Sequence, residues 1–539
     1  MKTMTGGDAV YHTLRAAGVE CVFGIPSQQN LGLYDAFCRH GGIRVVGTRH
    51  EQGAVHAADG YARATGRLGV AVVSTGPGTA NAIQGLYEAG FASSRVLLIT
   101  TQVDTIHLGK GRGYIHDAEG QTAMLRSVTR TTELVRHVED IARVLQHVIT
   151  DIHTGRPQPG ACEIPTDLLL AETAALPITW SPPTPQAPDS AALDEAATAL
   201  AQARRPLIWV GGGGVGAAGE LRQLAETLSA PVVSSLNGRG ILPHDHPLYV
   251  GCQTNVPAFN ELLAEADLVL AVGTRFQAVA SQYWQQPMPG KLIHLDADPG
   301  VIGRNYAVST ALVGDAARGM EELLKRLPRE GDGTRDGLFL ERAAQLRAQL
   351  IQGAEKMVGR DHEQIVGALN RLRPVDSPVV GDATITVNTW GHYLLNFALP
   401  RLAHYSTGLA IGPALPLAIG AAIGSDRPTL ALHGDGGVML NIAEIATAVQ
   451  EQLPLILCVF NDQGYGVLRE LQRLSTGREY AVDLHTPDFV ALARAMGMPG
   501  EQVQSAAGFE AVLKRALATA GPYLIEVDLR ALEPIRMFG

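Results

Sequence analysis

At 539 residues the chain is too long for one ordinary hydrophobic core, so about two to four domains are expected. An apolar content of 46% with 18% charged residues describes a globular α/β protein, and a formal charge of −10 without any Lys/Arg run excludes a nucleic-acid surface. The five cysteines (21, 38, 162, 252, 458) are scattered and form no CxxC pair, no signal-like core opens the chain, and no window is long enough to span a membrane; a reduced, cytoplasmic protein is expected.

Residues 1–173 read as a first α/β unit. Asp8 to Gly18 has a helical pattern closed by glycine, Cys21 to Pro26 reads as a strand, Leu31 to His40 as a helix, and Ile43 to Gly47 as a strand. Arg49-His50-Glu51-Gln52 follows and opens an Ala/Gly-rich helix that runs to Gly66. Strand Gly69 to Ser74 ends in Thr75-Gly76-Pro77-Gly78-Thr79-Ala80-Asn81, which opens another helix, and Val96 to Thr100 adds a buried strand. This alternation predicts a doubly wound parallel sheet with the Arg-His-Glu and Gly-Pro-Gly turns at its ligand-binding edge. The proline-rich stretch 180–188 is a linker. A central α/β unit spans 189–328, with Pro206 to Val210 leading into four glycines, Gly211 to Gly214. That run is either a cradle for a flavin dinucleotide (FAD) or a tight strand-to-helix turn, since it lacks the rest of the dinucleotide fingerprint. A polar linker at 329–337 leads to a third unit, 338–539.

The third unit carries the segment around which the rest is arranged, His433 to Gly466. A short apolar strand ends in Gly434-Asp435-Gly436-Gly437; a helical stretch follows, then the apolar run Leu455 to Phe460 and the turn Asn461-Asp462. A right-handed β-α-β crossover brings both turns to one sheet edge. Glycines let backbone N–H groups approach an anion there, and two carboxylates beside it suit Mg²⁺ shared with a diphosphate.

These motifs resemble the thiamine diphosphate (ThDP) enzymes, in which Gly-Asp-Gly is followed by Asn-Asn. The resemblance implies three domains of doubly wound parallel sheet: a pyrimidine-binding and a diphosphate-binding domain flanking a Rossmann-like central one. It implies Mg²⁺ ligands at Asp435, Asp462 and the Gly464 carbonyl, with Tyr465 and Gly466 alongside; Asp462 stands where the family has asparagine. Glu51 matches the glutamate that activates the cofactor through its pyrimidine ring. Gly76, Pro77, Gly78 and Asn81 match the turn beside it. Thr407 to Pro416 aligns with the segment under the cofactor's bend, placing Ile411 there with the backbone of Leu409 and Ile411 at the pyrimidine edge. Thr384 and Thr386 are placed to meet the diphosphate through their hydroxyls. Because Glu51 and Asp435 lie in different units, the resemblance also implies a homodimer or homotetramer with the active site at the subunit interface.

Acetolactate synthases are the closest broad group, but they carry Phe-Gln where this chain has His116-Asp117, and an Arg-Phe-Asp-Asp-Arg segment of which only Arg275-Phe276 remains. Gly111 to His116 and Gly381 to Thr384 instead resemble 2-oxo acid decarboxylases of the guanidino-oxopentanoate type. The expected activity is decarboxylation of a 2-oxo acid through an enzyme-bound enamine, with release of an aldehyde or ligation to a second carbonyl. His116 is the candidate proton shuttle, Asp117 its partner, and Gln28 a donor to the substrate carboxylate. An acetolactate synthase joining two pyruvates is the alternative, and a non-catalytic protein of the same fold the remote one.

Overall fold

A computed structural model describes residues 3–175, 177–328 and 335–537. Three six-stranded, all-parallel sheets organise the chain. The first has the order Arg44–Gly47, Cys21–Gly24, Gly69–Val73, Val96–Gln102, Gly160–Pro165, Thr131–Leu134; the central one is built from Pro206–Val210 through Thr310–Val313; and the third has the order Ala403–Tyr405, Val379–Gly381, Thr429–Gly434, Leu455–Asn461, Tyr523–Asp528, Gly500–Val503. All-parallel sheets need both faces covered, and their central strands are continuously buried apolar runs, as Leu455–Asn461 and Val96–Gln102 are. Thr3–Thr5 pairs antiparallel with Glu172–Ala174, tying the two ends of the first unit together. The 180–188 stretch is irregular, as its prolines require; of the second linker, 329–334 lie outside the described residues. No helix among the described residues is long and apolar enough to cross a membrane.

The first and third units meet through a helix pair, Glu51–Thr65 against Ala414–Ser425. The contact is backbone on backbone: a Cβ at Gly60 would collide with the Leu417 carbonyl, and one at Gly420 with that of Ala57. A buried charge network reinforces it. Arg63 bridges Asp59 and Glu88 at 2.5 and 2.9 Å, and Glu88 accepts from the backbone N–H groups of Thr407 and Gly408. Each carboxylate is paired, which is what makes burial of these charges tolerable.

Candidate active site

In the first unit, His50 caps the Glu51–Thr65 helix with Nδ1 accepting from the Gln52 N–H, so Glu51 opens the helix, where the positive end of the dipole favours a carboxylate. Glu51 Oε2 accepts from Asn81 Nδ2 at 2.9 Å. Asn81 lies one turn into helix Pro77–Ala92, with Pro77 as its first residue. Gly76, at φ +65°, makes the bend; a side chain there would be strained and would stand 2.5 Å from the His116 carbonyl. Its N–H donates to Gln121 Oε1 at 2.7 Å, and Gly78 packs on Ser74 with Glu51 alongside. The loop after Val96–Gln102 therefore rests on the Gly-Pro-Gly turn. It presents His116, exposed and at φ +63°, with half-buried Asp117 next to it; the Thr75 hydroxyl donates to the His116 carbonyl at 3.3 Å. Gln28 is exposed in a short 3-10 turn, Gln28–Asn30, at the end of strand Cys21–Gly24.

In the third unit, Asp435 is buried at the first position of a short helix and accepts the Gly464 N–H at 2.9 Å. Asp462 faces it. Burial first, and then the negative charge of Asp462, push the Asp435 carboxyl up to about 7. Burial raises Asp462 as well, although Arg469 stands 3.4 Å from its Oδ2. Two facing carboxylates beside the Gly464 carbonyl form an oxygen-donor set that fits Mg²⁺ shared with a diphosphate. Around it Gly434 lies against Thr384, Gly436 against the Tyr465 ring, Gly437 against Asp382 and Gly466 against Asp462. The Thr386 hydroxyl is buried without a hydrogen-bond partner. A phosphate oxygen would supply one, and the turn as a whole fits a diphosphate.

Several positioning groups escaped the sequence reading. The Leu415 N–H donates to His433 Nε2 at 2.7 Å, which leaves His433 Nδ1–H to donate to Asp382 Oδ2 at 3.1 Å. Asp382 also accepts the Gly412 N–H, and Asn441 Nδ2 donates to the Gly412 carbonyl. The turn carrying Leu409 (φ +60°) and half-buried Ile411 is thus tied to the Gly-Asp-Gly-Gly turn by one network. Glu444, buried in the third unit, accepts the N–H groups of Arg49 and His50 at 3.0 and 3.1 Å, directly before Glu51. The chain order of these contacts carries no local motif; only the folded arrangement exposes them.

Within one chain the two half-sites are not bonded to each other. No hydrogen bond or ion pair among the described residues joins Glu51, Asn81 or the Gly76–Gly78 turn to Leu409, Ile411, Asp435 or 462–466. Glu88 grips Thr407 and Gly408 at the far end of helix Pro77–Ala92, roughly 16 Å along the axis from Pro77.

In the central unit Gly211 to Gly213 border a cleft of about 300 Å³ that also reaches Arg95, Arg156 and Arg401. Gly211 and Gly213 pack on the backbone of Gly273 and Thr274, and their N–H groups donate to the carbonyls of Val272 and Gly273. The strand-to-helix turn accounts for these glycines, and nothing in the cleft assigns it to a flavin.

Two carboxylates beside a glycine turn, and a glutamate beside a Gly-Pro-Gly turn, are arranged as a diphosphate cofactor would need them. Comparison with known proteins supplies the family. The chain matches the N-terminal thiamine pyrophosphate (TPP, the same compound as ThDP) binding domain of thiamine pyrophosphate enzymes over residues 4–124, their central domain over 193–323 and their C-terminal TPP binding domain over 384–527. It is 37% identical over 536 residues to a probable 2-ketoarginine decarboxylase of Pseudomonas aeruginosa, covering 98% of this chain and 94% of that one. It is 32% identical over 550 residues to the acetolactate synthase isozyme 2 large subunit of Escherichia coli K12 (99% and 97% covered) and 31% identical over 560 residues to a probable acetolactate synthase large subunit of Methanocaldococcus jannaschii (99% and 93%). The chain belongs to the thiamine pyrophosphate enzymes.

Proposed function

We propose that the protein is a ThDP- and Mg²⁺-dependent 2-oxo acid decarboxylase, releasing an aldehyde or ligating the acyl fragment to a second carbonyl. It works in the cytoplasm as a homodimer or homotetramer whose sites are each shared by two chains. The observation that carries this reading is the seating of the His116 backbone against Gly76, which brings His116 and its neighbour Asp117 to the turn that opens the Asn81–Glu51 pair.

When bound, ThDP would supply the carbanion and the electron sink that decarboxylation of a 2-oxo acid needs. Glu51, oriented by Asn81, shares a proton with the pyrimidine ring nitrogen. Asp435, Asp462 and the Gly464 carbonyl would hold Mg²⁺, while Gly434, Gly436, Gly437, Thr384 and Thr386 would face the diphosphate, with Tyr465 and Gly466 beside it. Leu409 and Ile411 support the pyrimidine edge and the bend. The His116 imidazole would hold and move a proton between the acyl carbon and its hydroxyl, since a neutral imidazole both donates and accepts. Gln28 donates to the substrate carboxylate. The separation of the half-sites within one chain supports sharing between subunits. A 2-oxo acid with a guanidino side chain is the first substrate to try, given the Pseudomonas relative; Asp104, Asp117 and Glu119 on the same loop offer carboxylates to a cation.

The test is a panel of 2-oxo acids assayed for CO₂ release with and without an acceptor aldehyde. An aldehyde from a single 2-oxo acid is expected. Acetolactate from pyruvate alone would instead make the protein a synthase, the reading that the Escherichia and Methanocaldococcus relatives favour. Glu51→Gln is expected to lose at least about 100-fold in turnover while staying folded; near-wild-type turnover would remove Glu51 from the mechanism.

A further inference from the structure

A second cavity, of about 410 Å³, lies between the central and third units, away from every residue placed in the site above. Its wall carries Arg239 and Arg347 together with Glu355 and Glu363. Among the described residues neither arginine pairs with a carboxylate: Arg239 donates to the carbonyls of Leu236, Gly391 and His392, and Arg347 to those of His244 and His246. Among the described residues neither glutamate has a basic partner within ion-pair distance. Charges of both signs thus line one cavity without neutralising each other. Arg239 is only 6% exposed, so its guanidinium is held out of water with carbonyl dipoles and the Phe397 ring as its company. His392 on the same wall is also 6% exposed, and its Nε2 has no hydrogen-bond partner. Burial and the neighbouring Arg239 keep this imidazole neutral, able to donate or accept. His244, likewise on the wall, has a buried Nδ1 without a partner. An isolated buried charge and unsatisfied ring nitrogens are costly unless something completes them.

We propose that this cavity binds a small zwitterion of the α-amino-acid type, its carboxylate toward Arg239 and its ammonium toward the glutamates at the rim. A simple anion would meet the glutamates and a simple cation the arginines, whereas a molecule bearing both charges satisfies the two sets at once. Occupancy is relayed toward the cofactor half-site. The two carbonyls that Arg239 Nη1 holds, at 2.7 Å for Gly391 and 3.0 Å for His392, close the single π-helical turn Val387–Gly391. That turn begins directly after Thr386, and such turns concentrate at functional positions. A carboxylate competing for Arg239 loosens its hold on the turn. The relay rests on the ThDP reading given above; the binding itself does not.

Isothermal titration calorimetry on the protein free of ThDP and Mg²⁺ tests the binding, with each common L-amino acid as the probe and propionate as the carboxylate lacking an ammonium group. At least one amino acid is expected to bind with a Kd below about 1 mM, and propionate at least about tenfold more weakly. Gly367→Leu blocks the cavity: Gly367 sits on helix Arg360–Leu372, a Cβ there meets nothing within 4 Å, and leucine favours the helix. The variant is expected to keep its melting temperature and turnover and to lose the binding. Should it fold poorly, Glu363→Gln at the exposed rim serves instead, with at least about threefold weaker binding expected. No binding by any amino acid, or binding undiminished in the variants, overturns the site; propionate binding as tightly as the amino acids overturns the zwitterion. A ThDP titration then reads the relay. The bound amino acid is expected to shift the ThDP Kd at least about fivefold in the wild type and not in Gly367→Leu. An unchanged Kd overturns the relay, and failure of ThDP to bind at all would instead overturn the cofactor reading.

Discussion

Glu444 offers the sharpest handle on how the third unit shapes the first. Its Oε1 accepts the N–H groups of Arg49 and His50, and its Oε2 accepts the Thr447 hydroxyl at 2.6 Å. Burial raises its pKa, so the carboxylate carries a desolvation cost that these bonds must exceed. Hydrogen bonds to a charged acceptor contribute about 1.5–3 kcal/mol each. Glu444→Ala removes all three; losing the two that hold Arg49 and His50, less the desolvation relieved, should cost about 3 kcal/mol at that turn, equivalent to roughly 150-fold faster amide exchange at positions 49–51. Glu51 follows directly, so turnover should fall at least about tenfold, while Mg²⁺ binding at Asp435 and Asp462 stays as it was. Glu444→Gln keeps the acceptor and should restore most of the protection. Hydrogen exchange read by mass spectrometry, alongside turnover, checks this. Wild-type exchange and turnover in Glu444→Ala would refute the positioning role.

Further outcomes concern the carboxylate pair. Because Asp435 must shed its proton before a cation binds, Mg²⁺ affinity should fall about tenfold per pH unit below about 7. The same raised pKa means that the metal-free fold holds a proton the unfolded chain has released, so metal-free stability should decline as pH rises from about 4 to 7. Mg²⁺ titrations at pH 6 and 8 measure the first effect, and a pH-independent affinity would contradict it. Asp462→Asn should weaken Mg²⁺ about tenfold by removing one negative charge that faces the metal while Arg469, still paired with Asp483 and Glu479, stays beside it, and Arg469→Gln should tighten it. Unchanged Mg²⁺ affinity in Asp462→Asn would show that Arg469 does not offset the extra carboxylate.

The parallel sheets and the ligand edges were legible because apolar runs, glycine turns and caps are local signals. Helix Leu31–His40 and strand Gly69–Val73 fall where pattern and breakers place them. The stretch after Asp435 was less legible. A continuous helix is expected there, yet the chain forms a short helix at Asp435–Val438, a 3-10 turn at Met439–Asn441 and a second helix at Glu444–Gln450. Asn441 is engaged with the Gly412 carbonyl and Glu444 with the first unit, and such tertiary demands outweigh propensity. The three-residue pairing of Thr3–Thr5 with Glu172–Ala174 is too short to leave a periodic trace. Among site residues, Glu51 and Asp435 sit in motifs; Asp382, His433 and Glu444 act across distances in sequence that no pattern spans. The four glycines at 211–214 show the converse: a run that resembles a cofactor cradle is explained by backbone packing on Gly273.

Shared sites are tested most directly by mixing defects. Chains carrying Glu51→Gln and chains carrying Asp435→Ala should each be inactive alone in CO₂ release from the preferred 2-oxo acid. Co-expressed, they form mixed dimers in which one site combines the intact Glu51 of one chain with the intact Asp435 of the other. Activity returning to a substantial fraction of wild type is the predicted result. Mixed dimers as inactive as their parents would place Glu51 and Asp435 of one chain in the same site and contradict the shared arrangement.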